Sequence, residues 1–444
     1  TGHDHDFDAR TLLTQGIVNW SSGRLRSGNG GSVTNTGTWN DSSGYSVNND
    51  YAGTTATFTN ATGGTYIKTS GTSTYYLPFT NAGTINVTGG ALNLSAGGAL
   101  AGGTMLLTGG SGVQLTGGTF SAASAATGTV AWQGANFNGT GTSTFGPGLT
   151  VNLNTGHDHD FDARTLLTQG IVNWSAGRLR SGHGGSIVNT GTWNDSSGYS
   201  FNNDYTGPTA TFTNATGGTY TKTAGFSTFY IPFTNSGTLR AEGGTLRFDN
   251  TFTNSGGTLV AAGGNFSFAQ ALDLGTGRLG GTGTITAPSV TAGGEVSPGN
   301  SPGQLTLTGN LSLLASSTLL VELAGTSKGT SYDFLSVGGS AVLAGQLSVT
   351  ILNGFQSTLA ATDTFTVVTA TNLSGAFTNV VNGARLYTSD GFGSFQVNYG
   401  PASTYALNSV VLTQFAPIPE PSTYALMGLG LIIVLAAARR RRNS

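Results

Sequence analysis

The sequence predicts an all-β fold, a right-handed parallel β-helix (solenoid), followed by a short C-terminal transmembrane helix. Three observations carry this. A motif of Asn, Gly and Thr returns roughly every twenty residues, the period of a solenoid coil. No stretch of the body shows a 3.6-residue apolar stripe longer than about two turns, because glycine, 72 of 444 residues, interrupts each one. The segment 424–438, by contrast, is uncharged and rich in Leu and Ile.

Composition narrows the function classes. Charged residues are 8 % of the chain, against roughly 25 % in ordinary globular proteins. Threonine, serine and asparagine supply the polarity instead. Aromatic residues reach 9 % and recur at regular places, which favours order over the disorder that glycine alone would suggest. Cysteine is absent, so disulfides, thiolate metal sites and Cys nucleophiles are excluded. Formal net charge is −2, and setting aside four C-terminal arginines leaves 13 basic against 19 acidic side chains, a charge of −6. The body has no basic excess with which to hold nucleic acid. The chain opens on Thr1-Gly2-His3-Asp4, inside a repeat and without an initiator Met or signal peptide, and is read as a fragment or a processed chain.

Residues 1–90 return at 155–244 with a constant offset of 154; 73 of the 90 pairs are identical, including the first twenty. A recent tandem duplication explains this. The two copies occupy 1–154 and 155–296. Within each lies a finer repeat. Val33-Thr34-Asn35-Thr36-Gly37-Thr38-Trp39 is echoed at Phe58-Thr59-Asn60 and Phe79-Thr80-Asn81, and in the second copy at Asn189, Asn214, Asn235 and Asn254, spaced 25, 21 and 19 residues apart. The expected logic has an aromatic or branched residue entering the core and Asn-x-Gly making the turn, since both residues tolerate positive φ. Short alternating runs such as Thr84-Ile85-Asn86-Val87 supply the strands. Parallel stacking brings equivalent residues about 4.8 Å apart, which favours Asn, Thr and Ser ladders over like charges.

From Gly275 the texture changes, and 297–416 is read as a third region. Gly280-Gly281-Thr282-Gly283-Thr284-Ile285 leads to Ser297-Pro298-Gly299-Asn300-Ser301-Pro302-Gly303, and then to more apolar strands such as Leu347-Ser348-Val349-Thr350-Ile351. This run resembles a segment of autotransporter passenger domains and large bacterial surface proteins, and the resemblance implies that the β-helix continues. Residues 375–414 read as further short strands.

The tail 417–444 follows. At 1.5 Å per residue, 424–438 spans about 22 Å, and with Ser422 and Thr423 it reaches only the lower edge of what crosses a core of roughly 30 Å. Arg439, Arg440, Arg441 and Arg442 act as a cytoplasmic stop. A buried helix of a soluble protein is the alternative, and it would need a polar face that this segment lacks. Pro419-Glu420-Pro421, the apolar segment and the arginine cluster, in that order, resemble a PEP-CTERM sorting signal. Ile418 stands where that family often has valine. The resemblance implies membrane attachment before processing, an exosortase as processing partner, and delivery to the surface or outside of a Gram-negative cell.

The densest charged cluster is His3-Asp4-His5-Asp6-Phe7-Asp8, repeated at 157–162. In a strand, His3, His5 and Phe7 share one face and the aspartates the other. Imidazole and carboxylate suit Zn²⁺ or Ca²⁺ in kind, so His3, His5, His157 and His159 are the metal candidates. Two His on a face fall one ligand short of an ordinary zinc site, however, and no calcium-roll period is present. A solvated strand edge is the preferred reading, with no metal or other cofactor. Arg24 and Arg26, copied as Arg178 and Arg180, are expected to pair with the nearby aspartates. No Asp or Glu lies between Asp50 and Asp158, and no nucleophile elbow, phosphate loop or dinucleotide fingerprint stands in a credible context, so catalytic residues are not assigned.

The expected function is therefore a non-enzymatic surface or extracellular-matrix protein, structural or adhesive in a biofilm, meeting exopolysaccharide or copies of itself through ladders of Thr, Ser and Asn with occasional Tyr and Trp. A β-helical polysaccharide lyase or hydrolase with the same tail is the alternative. Ice binding through Thr ladders such as Thr55-Ala56-Thr57-Phe58-Thr59 is a more distant third.

Overall fold

The computed structural model describes residues 2–100, 104–107, 112–114, 120–122, 128–132, 137, 139–418, 433 and 439. The body is a parallel β-solenoid with three faces. In the second coil these are Leu25–Ser27 (first face), Ser32–Asn35 (second face) and Thr38–Asp41 (third face). The third face is one sixteen-stranded sheet running from Ile17–Trp20 to Gln346–Ile351. The strand Ile171–Trp174, which repeats Ile17–Trp20, lies seven strands further along the same sheet. All pairs in it are parallel and in register, as Thr38↔Thr65↔Thr84 and Thr192↔Thr219↔Thr238↔Thr258 illustrate.

Alternation within most four-residue strands decides the burial. In Thr57–Asn60, Phe58 and Asn60 are buried while Thr57 and Thr59 face out. Because register is exact from coil to coil, like residues stack inside. Phe58 lies on Phe79 with ring centroids 4.9 Å apart, and Phe212 on Phe233 at 4.8 Å with the ring planes nearly parallel. Phe229, Phe248 and Phe268 form a second stack. Each fully buried Phe contributes about 1.5–3 kcal/mol, so short strands with few apolar residues still build a continuous core.

The turns work differently from the expectation. Asn35, Asn60 and Asn81 do not adopt positive φ. Each is the last residue of its strand and points inward at the corner with no solvent exposure. The glycine two residues on from Asn35 and Asn81 is needed for space instead. A Cβ on Gly37 would sit 2.1 Å from the Gly16 carbonyl oxygen, and one on Gly83 2.2 Å from that of Gly64. Positive φ falls at other glycines, such as Gly63 at +84° and Gly217 at +85°.

Parallel coil pairing continues past 351 to Phe365–Thr369 and Asn372–Gly375, but not to residue 416. Past Gln346–Ile351 the first face ends in an antiparallel group, in which Phe365–Thr369 pairs with Ser409–Pro417, and that strand with Gly393–Tyr399. These last two strands have 9 and 7 residues and are longer than the short strands expected there. They cover the end of the coil stack.

One 3-10 turn, Phe355–Ser357, is the only helical element of more than one residue among the described residues. No helix among them is long and apolar enough to cross a membrane. The transmembrane helix expected over 424–438 lies outside the described residues, apart from Ile433, which is exposed.

Candidate functional site

Three groups of residues could carry function: a charged ladder, the lateral hydroxyl faces and the tail. The ladder lies on the first face. Asp4, Asp6 and Asp8 alternate outward with His5 and Phe7, and the next coil meets each of them. Arg24 grips Asp4 through two hydrogen bonds of 3.1 and 2.7 Å, Arg26 grips Asp6 at 2.9 and 3.0 Å, and Asn29 donates to Asp8. The Arg24 guanidinium holds the Asp4 carboxyl below its usual value, and Arg26 does the same for Asp6. Arg26 also lies 5.7 Å from the Tyr51 ring. The second copy repeats the pattern with Asp158–Arg178, Asp160–Arg180 and Tyr205. The arginines thus pair with the aspartates as the sequence indicated, and the stack alternates in sign. Their charges are consumed within the ladder, and exposed pairs of this kind contribute little to stability.

The four histidines do not converge. His3, His5 and His157 are exposed, whereas His159 is fully buried, its ring edge-on to Trp132 at 5.3 Å and its Nε2 3.1 Å from the Ala176 carbonyl oxygen. Burial pushes its pKa down to about 4. No group of three or more His, Cys, Asp or Glu side chains arranged to hold a metal occurs among the described residues. In the second copy Leu166 and Arg164 are also buried, and Arg164 donates to Ser143 of the preceding strand Thr142–Phe145, which pairs with Thr165–Thr168.

The lateral faces carry the expected ladders. Thr213, Thr234 and Thr253 align on the second face, and Asn194, Asn173 and Asn152 hydrogen-bond in series on the third at 3.0 and 2.9 Å. Exposed tyrosines recur in both copies, Tyr45 with Tyr199 and Tyr76 with Tyr230. Tryptophan departs from the expectation. All five are buried, Trp20, Trp39, Trp132, Trp174 and Trp193, and none lies on a lateral face. A cleft of about 260 Å³ opens beside the loop 297–303, lined by Arg240, Arg278, Ser297, Asn300, Ser301 and Glu322 among others. Among its lining residues Glu322 is the single carboxylate, and Arg240 and Arg278 pair with Glu242 and Glu295.

Sequence reasoning missed a buried charged node. Asp41 and Lys68 are register partners in adjacent coils, both without exposure, with Nζ 3.0 Å from Oδ1. Asp195 and Lys222 repeat it at the same distance. Both residues hold the fourth, inward position of strands whose neighbours place Trp20 or Val87 there, a pattern that shows only once the coils are aligned in register.

Pro419, Glu420, Pro421, Arg440, Arg441 and Arg442 lie outside the described residues, and Arg439 is exposed. Strand pairing of the body ends at Pro417. No curated protein matches the chain. Residues 417–442 match the PEP-CTERM protein-sorting motif. That motif implies processing by an exosortase and export to the cell surface or extracellular space of a Gram-negative bacterium.

Proposed function

We propose that the exported body is a non-enzymatic structural or adhesive rod of an extracellular polysaccharide matrix. The carrying observation is the pair of tyrosines exposed at equivalent places in both copies, Tyr45 and Tyr76 with Tyr199 and Tyr230, together with the aligned Thr and Asn ladders of the second and third faces. Aromatic faces stack on neutral sugar rings, hydroxyls and amides supply many small hydrogen bonds, and repetition multiplies them. Arg24, Arg26, Arg178 and Arg180 are already paired with aspartates, so the charged ladder has little left to offer a polyanion. Side-by-side packing of the same rods uses the same surfaces.

The test is a pull-down of residues 1–418 with the native exopolysaccharide at low and high salt. Binding that persists in high salt and falls at least tenfold in the quadruple variant Y45A/Y76A/Y199A/Y230A supports the reading. Salt-sensitive binding that the tyrosine variant leaves intact overturns it in favour of charge. Cleavage of the glycan by the purified body turns the assignment to a β-helical polysaccharide-active enzyme.

A further inference from the structure

Asp41 and Lys68 face each other in a pocket closed to water. Trp20 and Val87 occupy the same inward position in the flanking coils. One carboxylate oxygen of Asp41 lies 3.0 Å from Lys68 Nζ, and the other accepts a hydrogen bond of 2.6 Å from the Tyr66 hydroxyl. Nζ has two further neighbours, the Ser43 carbonyl oxygen at 2.5 Å and the Ser73 hydroxyl at 2.7 Å. The second copy reproduces this. Lys222 Nζ lies 3.0 Å from Asp195, 2.6 Å from the Ser197 carbonyl oxygen and 2.5 Å from the Ser227 hydroxyl, and Tyr220 donates to Asp195 at 2.7 Å. Tyr75, which donates to Tyr66 in the first copy, is Phe229 in the second, so it is dispensable to the arrangement.

An ion pair with no access to water has lost the hydration of both charges, and its attraction offsets that loss only in part. Burial pushes the ammonium pKa of Lys68 and Lys222 down. Moving one proton from Nζ to the carboxylate removes both charges and leaves an amine beside a carboxylic acid. The amine then has two hydrogens and one lone pair. The Ser43 carbonyl and Ser73 hydroxyl can accept the two hydrogens, which turns the lone pair toward Asp41. The Tyr66 hydroxyl polarises the carboxyl group where negative charge develops during attack. Fixed contact in a dry site also supplies the effective concentration that amide formation needs and keeps out the water that would reverse it.

We infer that Lys68 and Asp41, and likewise Lys222 and Asp195, are joined by intramolecular isopeptide bonds. The Nζ–Cγ bond forms, Nζ gives one hydrogen to the protonated carboxyl oxygen, the bond from Cγ to that oxygen breaks, and one water leaves for each isopeptide bond. No oxidant, reductant or further reactant is required. Each bond ties one coil covalently to the next, a cross-link suited to an exported rod without a single cysteine.

The test is the intact mass of the purified full chain under denaturing conditions, with peptide mapping. The expected mass is two waters below the sequence mass, with branched peptides joining the segments that contain Asp41 and Lys68 and those that contain Asp195 and Lys222. K68M should lose one branched peptide and regain one water, and K68M/K222M should return to the sequence mass. A single branched peptide in the wild type restricts the bond to that copy and overturns it for the other. A wild-type mass at the sequence value, or a water loss that maps to a linear peptide, overturns the inference whether or not the variants fold.

Discussion

Asn35 donates from Nδ2 to Oδ1 of Asn60 at 2.8 Å, with both side chains fully buried at the corner between the second and third faces. Asn60 passes a bond of 2.7 Å to Asn81, and Thr14 feeds the series from the other end. Each amide also reaches a backbone carbonyl, such as that of Gly64 or Thr84 for Asn60. The ladder thus satisfies polar groups that the tight corner would otherwise bury unpaired. Asn60→Ala removes one acceptor of the Asn35 amide and the Asn60 amide that donates to Asn81. A loss of about 2–4 kcal/mol is expected. Hydrogen exchange across 57–87 should report it locally, because solenoid coils depend chiefly on their neighbours. Asn60→Ala with unchanged protection would show that the ladder is ornamental.

The glycines fall into two physical classes that substitution separates. Gly83 has ordinary φ, but its Cβ would lie 2.2 Å from the Gly64 carbonyl oxygen, so alanine must push two coils apart. Gly63 has φ of +84° and open space around the Cβ position. Alanine at 83 should cost about 3 kcal/mol or more, whereas alanine at 63 should cost about 1–2 kcal/mol from the left-handed backbone alone. Denaturant unfolding of the two variants side by side checks the order, and a reversal would refute the close-approach account.

His159 gives the body a pH response. Burial lowers its pKa to about 4 from 6.5, against the pull of neighbouring Asp158 and Asp160. The unfolded chain therefore binds a proton between these values that the folded chain refuses. Stability from this group is present above pH 6.5 and is lost as pH falls toward 4, by about 3 kcal/mol in all. His159→Gln should flatten that part of the stability profile. A wild-type imidazole titrating near 6.5 in nuclear magnetic resonance spectra would contradict the burial argument.

Much of the fold was legible because solenoid stacking turns sequence period directly into space. The offset of 154 became seven strands along one sheet, and the Phe-Thr-Asn triplets became an inward ring, an outward hydroxyl and a corner amide. What could not be read was which polar residues go inside. Asn next to Gly suggests a turn in any single coil, and only the neighbouring coil reveals a ladder. Asp41 and Lys68 lie 27 positions apart, with nothing local to mark them as partners. Burial of His159 was equally invisible, since its packing partner Trp132 lies 27 positions upstream. The antiparallel end over 385–417 escaped because its alternation is that of any strand, and direction leaves no trace in period.

The last prediction separates the tail from the body. The sorting motif begins at residue 417, where the final described strand, Ser409–Pro417, ends against Gly393. That strand already buries Val410, Leu412 and Phe415, so the end of the coil stack is covered before Pro419 is reached. Fold and address are therefore written in separate residues. Glu420→Ala, or deletion of Arg439, Arg440, Arg441 and Arg442, should leave the thermal unfolding of the body within about 1 °C of the wild type, as expected for changes beyond the last paired strand of the body. In a host with an exosortase, the same variants should accumulate uncleaved in the membrane fraction, while the wild type reaches the surface with a lower mass. In a host without the enzyme, wild type and variants should behave alike. If variant and wild type reach the surface with the same mass, the tail does not act as a sorting signal in this chain.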